Sequence, residues 1–251
     1  MAKIIALYNQ AGGVGKTTST VNIGYELVER GRKVLNVDID PQGTLTVFMG
    51  IEDPNALEKT VYDGLMHQES MPILKDIYGM DLIPANENLE GVEKQLIDEK
   101  IPELRLKHAL EPFHKDYDFI LLDCPPRGGF LSISCLVAAT HIVTPIETAY
   151  KARKGTENLI RTIKRIWEYA NPDLKFAGVI PTLYSANKNQ DRRSLESIKQ
   201  SFDTSQVLAV VPEATDVENA SEAGVPIKVY DPKNAAVKPF EQIAEYLDHM
   251  Q

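Results

Sequence analysis

"LYNQAGGVGKTT", residues 7–18, sets a run of glycines between a short apolar segment and a stretch whose apolar residues recur at helical spacing. Before it, "KIIALY" is rich in β-formers. After it, "TTSTVNIGYELVERG" brings Val21, Tyr25 and Val28 onto one helical face, and Gly31 is placed to end that helix in a left-handed cap. The pattern predicts strand, loop, helix. Gly12, Gly13 and Gly15 permit a chain path in which successive N–H groups point inward, and a helix starting near Lys16 adds its positive end, so the turn is a cradle for phosphate. Lys16 supplies a point charge to the β- and γ-phosphates of a nucleotide, and the Thr17 hydroxyl is positioned to ligate Mg²⁺ bound to them. The candidate ATP ligands in the loop are therefore Ala11, Gly12, Gly13, Val14, Gly15, Lys16, Thr17 and Thr18.

The same alternation of apolar strand and amphipathic stretch recurs along the chain. "KVLNVDID" reads as a strand ending in Asp38 and Asp40, and "DFILLDCPP", "HIVTPIE", "FAGVIPT" and "VLAVVPE" read as later strands. Near-continuous apolar strands separated by helices indicate an α/β fold, a mostly parallel twisted sheet covered by helices on both faces. Ligands bind beyond the C-terminal ends of such strands. Asp38, Asp40, Asp123, Glu147 and the Pro181 and Pro212 turns stand at those ends, and Asp123 is placed to hold Mg²⁺ through a water. Pro181 and Pro212 complete the candidate ATP site. Residues 50–115 are less regular and acid-rich, with "NENLEGVEKQL" expected as a surface helix and no separate domain. Residues 1–251 are expected to form one domain of P-loop NTPase type.

Composition narrows the class. The chain has 251 residues, 27 Lys+Arg against 36 Asp+Glu and a formal net charge of −9, which argues against coating nucleic acid over the whole surface but leaves room for a local basic patch. Its two cysteines, Cys124 and Cys135, and the lack of a secretion signal or membrane-spanning apolar run point to a reducing, cytosolic setting with both thiols buried. The five histidines are dispersed without ligand spacing.

With "GGVGKTT", "VDIDPQG", "DCPP" around Asp123 and "GVPIKVYDPK" in place, the chain resembles the ParA/MinD family of deviant Walker ATPases over nearly its whole length. The resemblance implies Mg·ATP at the strand ends, a homodimer with ATP sandwiched at its interface and slow hydrolysis. It further implies an adaptor that stimulates turnover, and the positioning of cargo along nucleoid DNA or membrane. It gives Asp40 the task of orienting the attacking water and Asp38 that of supporting the metal shell. The family's loop begins with a lysine that crosses to the partner's nucleotide, and Ala11 occupies the matching position here. A methyl group cannot neutralise charge on a transferring phosphoryl group, so either hydrolysis is lost or another cation has moved in. "TAYKARKG" offers Lys151, Arg153 and Lys154 just past a strand end, with Lys151 the first candidate and Arg127 of "PPRGG" the second. A loop without that lysine is reminiscent of the branch that spaces carboxysomes.

Membrane-bound relatives carry a basic amphipathic C-terminal helix. "PFEQIAEYLDHMQ" has Glu241, Glu245 and Asp248 and no Lys or Arg, so direct membrane targeting is not expected. For DNA, Glu213 and Asp216 stand where the family often has arginines, while Lys188, Arg192, Arg193 and Lys199 form a candidate patch for phosphate backbone. The expected setting is thus the cytoplasm, on the nucleoid. Two alternatives stay open: a nucleotide-gated binding module that does not turn over, and an iron–sulfur reductase of the same superfamily using Cys124 and Cys135.

Overall fold

In the computed structural model, which describes residues 1–96, 98–148 and 152–250 with the side chains of 152–157 excepted, seven strands form one sheet. They are β1 (Lys3–Leu7), β2 (Val34–Asp38), β3 (Leu74–Ile77), β4 (Met80–Ile83), β5 (Phe119–Asp123), β6 (His141–Glu147) and β7 (Lys175–Thr182), in spatial order β3-β4-β2-β5-β1-β6-β7. All neighbours are parallel except β3, which pairs antiparallel with β4 at the edge. The helices are α1 (Lys16–Glu29), α2 (Thr44–Phe48), α3 (Val61–His67), α4 (Val92–Gln95), α5 (Arg105–Leu110), α6 (Phe130–Ala138), α7 (Ala152–Tyr169), α8 (Asn189–Ser201), α9 (Thr215–Glu222), α10 (Ile227–Tyr230) and α11 (Val237–His249).

Alternation along the strands sorts side chains to two cores. Ile4, Ala6 and Tyr8 face one layer with Leu35, Val37, Ile120 and Leu122, which α3, α5, α6 and α7 cover through Leu65, Leu106, Leu136 and Ile163. Ile5 and Leu7 face the other with Val34, Leu121 and Val143, which α1, α2 and α11 cover through Leu27, Leu45 and Phe240. Both faces are buried, as the continuous apolar strands require. The apolar side of α11 is spent inside: Phe240, Ile243, Ala244 and Leu247 are buried, and Asp248 at its end is paired with Arg30 and Arg32. Among the described residues no helix is long and apolar enough to cross a membrane.

Helix α1 ends as its sequence suggests. Gly31 has φ 79°, its amide donates to Val28 O at 2.8 Å, and Arg32 donates to Leu27 O at 3.0 Å, the paired bonds of a Schellman cap. Three expectations are corrected. "VLAVVPE" is not a strand: it forms isolated bridges, Val207 with Val179 of β7 and Pro212 with Tyr184 just beyond it. Leu208 donates to Val179 O and Val211 to Pro181 O, but Pro181 has no N–H to return, so the ladder does not propagate. "NENLEGVEKQL" is not one helix, because extended Glu90 and Gly91 at φ 90° separate a 3₁₀ turn from the single turn of α4. Residues 74–83, expected as irregular, form the β3–β4 hairpin around Tyr78 and Gly79, both at positive φ.

Candidate functional site

Strand register gathers the site. Leu7 pairs with Asp123 and Asp123 pairs with Asp38, so β1, β5 and β2 end at one level, where the chain leaves β1 for α1. The loop between them is pinned from both sides. Asn9 Nδ2 donates to Pro145 O at 2.7 Å while its Oδ1 accepts from the Ala11 amide, Thr182 Oγ1 donates to Val14 O at 2.9 Å, and Arg127 N donates to Gln10 O at 3.0 Å. The Gln10 side chain reaches Tyr8 Oη and Thr162 Oγ1, both at 3.1 Å, which ties the loop to α7.

Gly13 and Gly15 have φ of 73° and 81°, a conformation that side chains with a Cβ rarely adopt. Gly15 is the N-cap of α1 and offers it no side-chain cap. Among the described residues the amides of Gly12 to Thr18 have no hydrogen-bond acceptor, and the first intrahelical bond is Ser19 N to Gly15 O. Such a row of unsatisfied donors at a helix start attracts an anion. Lys16, only 7% exposed, folds its ammonium back onto Ala11 O at 2.9 Å. Burial holds its pKa below the usual lysine range, opposed by the charge of Asp123.

Asp123 accepts from Thr17 Oγ1 at 2.6 Å and from Thr20 Oγ1 at 3.5 Å. Burial, then the neighbouring Asp38 charge, pushes its pKa up to about 8. Asp38 is pushed up to about 6 by burial, against hydrogen bonds from Thr46 and the Asp40 amide that favour its ionised form. Its carboxylate is fully engaged, with Oδ2 accepting from Thr46 N and Oγ1 at 2.8 and 2.7 Å and Oδ1 from Asp40 N at 3.0 Å. Asp38 therefore positions the Asp40 turn. Asp40 is half-buried and lines the cavity. Among the described residues no three His, Cys, Asp or Glu side chains are placed to hold a metal by themselves. The buried Asp123 carboxylate beside the Thr17 hydroxyl does fit a divalent cation that takes its remaining ligands from phosphate and water.

The loop opens into a cavity of about 510 Å³. Its lining joins the polar Gly12, Gly13, Gly15, Lys16, Thr17, Thr18 and Asp40 to the apolar Leu183, Val211, Pro212 and Val217, with Glu218, Ser221 and Glu222 of α9 beside them. The loop suits phosphates, and the apolar residues suit a ring. Of the residues expected there, Pro212 lines the cavity, whereas Pro181 lies within β7 and its successors Thr182 and Leu183 take the wall. Ala11 is exposed and Val14 is buried, and neither lines the cavity, although both were expected at the ATP site. Leu183, at φ 53°, and Val217 on α9 carried no sequence signal. Lys151, and the side chains of Arg153 and Lys154, lie outside the described residues.

The basic patch is partly neutralised. Lys188 pairs with Glu213 at 2.5 Å and Lys199 with Glu196 at 3.0 Å, and Arg192 bonds Asn189, leaving Arg192 and Arg193 as exposed guanidinium groups on α8. Cys124 and Cys135 are both buried.

Residues 2–176 match the protein family described as AAA domain. The chain is 38% identical over 248 residues to the sporulation initiation inhibitor protein Soj of Bacillus subtilis, covering 98% of each. It superposes with a TM-score of 0.86 on cobyrinic acid a,c-diamide synthase from Mycobacterium smegmatis with bound ATP analogue and magnesium, at 32% identity over 98% of this chain and 94% of that one. Apo McdA of Cyanothece gives a TM-score of 0.88 at 22% identity, over 98% of this chain and all of that one, a likeness of fold.

Proposed function

The chain belongs to the ParA/MinD family of P-loop ATPases, and from that premise we propose that it binds Mg·ATP at the Gly12–Thr18 loop and hydrolyses it to ADP and phosphate. The observation that carries this is the loop itself: unsatisfied amides and the Lys16 ammonium face one end of a 510 Å³ cavity, beside the Thr17–Asp123 pair.

Each residue then has a task. The Gly12–Thr18 amides and Lys16 hold the β- and γ-phosphates, with Lys16 exchanging the Ala11 carbonyl for phosphate oxygen. Thr17 Oγ1 and, through water, Asp123 would hold the cation, which would neutralise charge on the terminal phosphates. Asp40 orients the attacking water and accepts its proton. Asp38 keeps the Asp40 turn in place. Leu183, Pro212 and Val217 enclose the base and exclude water from it. Lys151 is retained from the sequence as a candidate for the charge that Ala11 lacks.

The ATP-bound chain dimerises, binds nucleoid DNA without sequence preference through Arg192 and Arg193, and responds to an adaptor that stimulates hydrolysis, so as to position or segregate a cytoplasmic cargo. A plasmid, a chromosome region or a protein compartment such as the carboxysome each fits. Similarity to the chromosome partitioning protein ParA of Myxococcus xanthus and the chromosome-partitioning ATPase Soj of Treponema pallidum, at 32% and 34% identity, favours a chromosome region.

Lys16→Ala tests the assignment. Removing the one ammonium on the loop should weaken ATP binding at least about 100-fold in calorimetry, the scale of a buried charge-assisted contact. Unchanged affinity would remove the basis for the ATP site. The exposed methyl of Ala11 favours a second reading, a module that binds and dimerises without turnover. Sensitive phosphate-release measurements with DNA present separate the two. The buried positions of Cys124 and Cys135 lend no support to a reductase whose cluster would bridge two subunits.

A further inference from the structure

The phosphate end is short of positive charge. Among the described residues lining the loop cavity and the 430 Å³ cavity beside it, Lys16 and Arg127 are the cations, whereas Asp38, Asp40 and Asp123 stand at or just past the strand ends. A phosphoryl group in transfer spreads negative charge over its oxygens, and pre-placed cations stabilise that charge at no cost in reorganisation.

We propose that Arg127 is the second cation of the phosphate end, its guanidinium turning from the neighbouring cavity onto the terminal phosphate. This rests on the ATPase assignment above. Position is the first support. The Arg127 amide donates to Gln10 O at 3.0 Å, which clamps the residue against the loop one step before Ala11. Its neighbour Pro126 faces Gly12, where an added Cβ would sit 3.9 Å from Pro126 Cβ, and Pro126 and Asp40 line both cavities.

Backbone conformation is the second. Arg127 has φ 78°, a left-handed conformation disfavoured for a residue with a Cβ, and Ser132 Oγ fixes it by donating to Arg127 O at 2.7 Å. Strain of this kind persists where the surroundings over-determine it, and it clusters at functional sites. The head group is the third. Arg127 is exposed, and its guanidinium makes no hydrogen bond or ion pair with a described residue, although Asp40, Glu90 and Glu93 line the same cavity. The residue is held by its backbone, and its charge is left to solvent or to a ligand.

Single-turnover phosphate release, with the full chain in excess over Mg·ATP, tests the assignment without requiring rapid cycling. Arg127→Ala and Arg127→Gly should slow the chemical step about 100-fold or more, with the affinity for a slowly hydrolysed ATP analogue changed by no more than about threefold, because the contact strengthens only in the transition state. Arg127→Lys should retain an intermediate rate. Arg127→Gly should unfold at or above the wild-type temperature, since glycine accepts the left-handed backbone. An arginine with a purely structural role would give the reverse pattern, unchanged chemistry and altered stability. Lys164→Ala, on the exposed side of α7, is the control. A folded Arg127→Gly protein that releases phosphate within about twofold of wild type overturns the role of Arg127, all the more if Lys151→Ala alone slows the step. Lys16→Ala keeps the two claims apart. Normal ATP binding by that variant overturns the ATPase assignment, whereas lost binding beside normal Arg127→Gly chemistry overturns Arg127 alone.

Discussion

Asp38, Asp40 and Asp123 sit within a few residues of each other in space and differ in what they can do, because their surroundings differ. Asp40 is half-buried and borders the cavity, so it is the carboxylate available to a water. Asp40→Ala should lower turnover about 100-fold or more, the usual worth of a positioned base, and leave ATP affinity unchanged; wild-type turnover in phosphate release would reassign the base. Asp123 and Asp38 carry their cost in the absence of ligand. Their folded pKa values of about 8 and about 6 lie above the ordinary 3.8, so the folded chain holds protons that the unfolded chain releases. Their contribution to stability is fully present below about pH 3.8 and is lost as pH rises, through about 6 for Asp38 and about 8 for Asp123. In EDTA and without nucleotide, the melting temperature of the wild-type chain should fall relative to that of Asp123→Asn as pH rises from 3.8 to about 8, and level off above that. Parallel pH profiles for the two proteins would show that Asp123 does not titrate in that range.

At the scale of elements, the loop is only as well placed as α1, and α1 rides unusually close to the sheet. A Cβ at Gly24 would stand 2.8 Å from Met80 Sδ and 3.2 Å from Asn36 Oδ1, under the middle of the helix. Gly24→Ala gains about 1 kcal/mol of helix propensity but forces this contact apart, at about 1–3 kcal/mol. The net effect should be a lower melting temperature, with weaker ATP binding because Lys16 and Thr17 move with the helix; a rise in stability would mean that Met80 yields freely. The strand–glycine–helix pattern that places α1 was legible from Leu7 to Gly31, since each local signal there agrees with the tertiary outcome. So were β2, β5, β6 and β7, whose apolar runs fit a buried parallel sheet. The β3–β4 hairpin was not, because Leu74–Ile77 is a half-exposed edge with no apolar face to announce it. "VLAVVPE" misled in the other direction: its composition suits a strand, but pairing depends on Pro181 in a different segment. In the site, Lys16, Thr17 and Asp123 were readable because phosphate chemistry demands those residue types at those spacings. Leu183 and Val217 were not, because an apolar wall can be built from many residues and only the fold brings them to the loop.

For the whole molecule the question is how a chain of net charge −9 could hold DNA. Its surface field repels phosphate, so binding must come from a local patch, and in the one at α8 exposed ion pairs with Glu213 and Glu196 offset the charges of Lys188 and Lys199. Arg192 and Arg193 remain, too few for stable attachment by a single chain. Two copies joined by ATP would present four guanidinium groups, with the second pair acting at high effective concentration once the first has bound. Each phosphate contact releases condensed counterions, so affinity should fall with salt with a log–log slope of about −3 to −4 for such a dimer. The expected result is retardation of DNA of any sequence with ATP and not with ADP, measured over a series of salt concentrations. Arg192→Ala with Arg193→Ala should flatten the slope towards zero and abolish retardation while leaving ATP-dependent dimerisation in sedimentation intact, because α8 is remote from the loop in the hydrogen-bond network that fixes it. Equal retardation with either nucleotide would detach DNA binding from the ATP cycle. An unchanged slope in the double variant would place the DNA contacts on another surface.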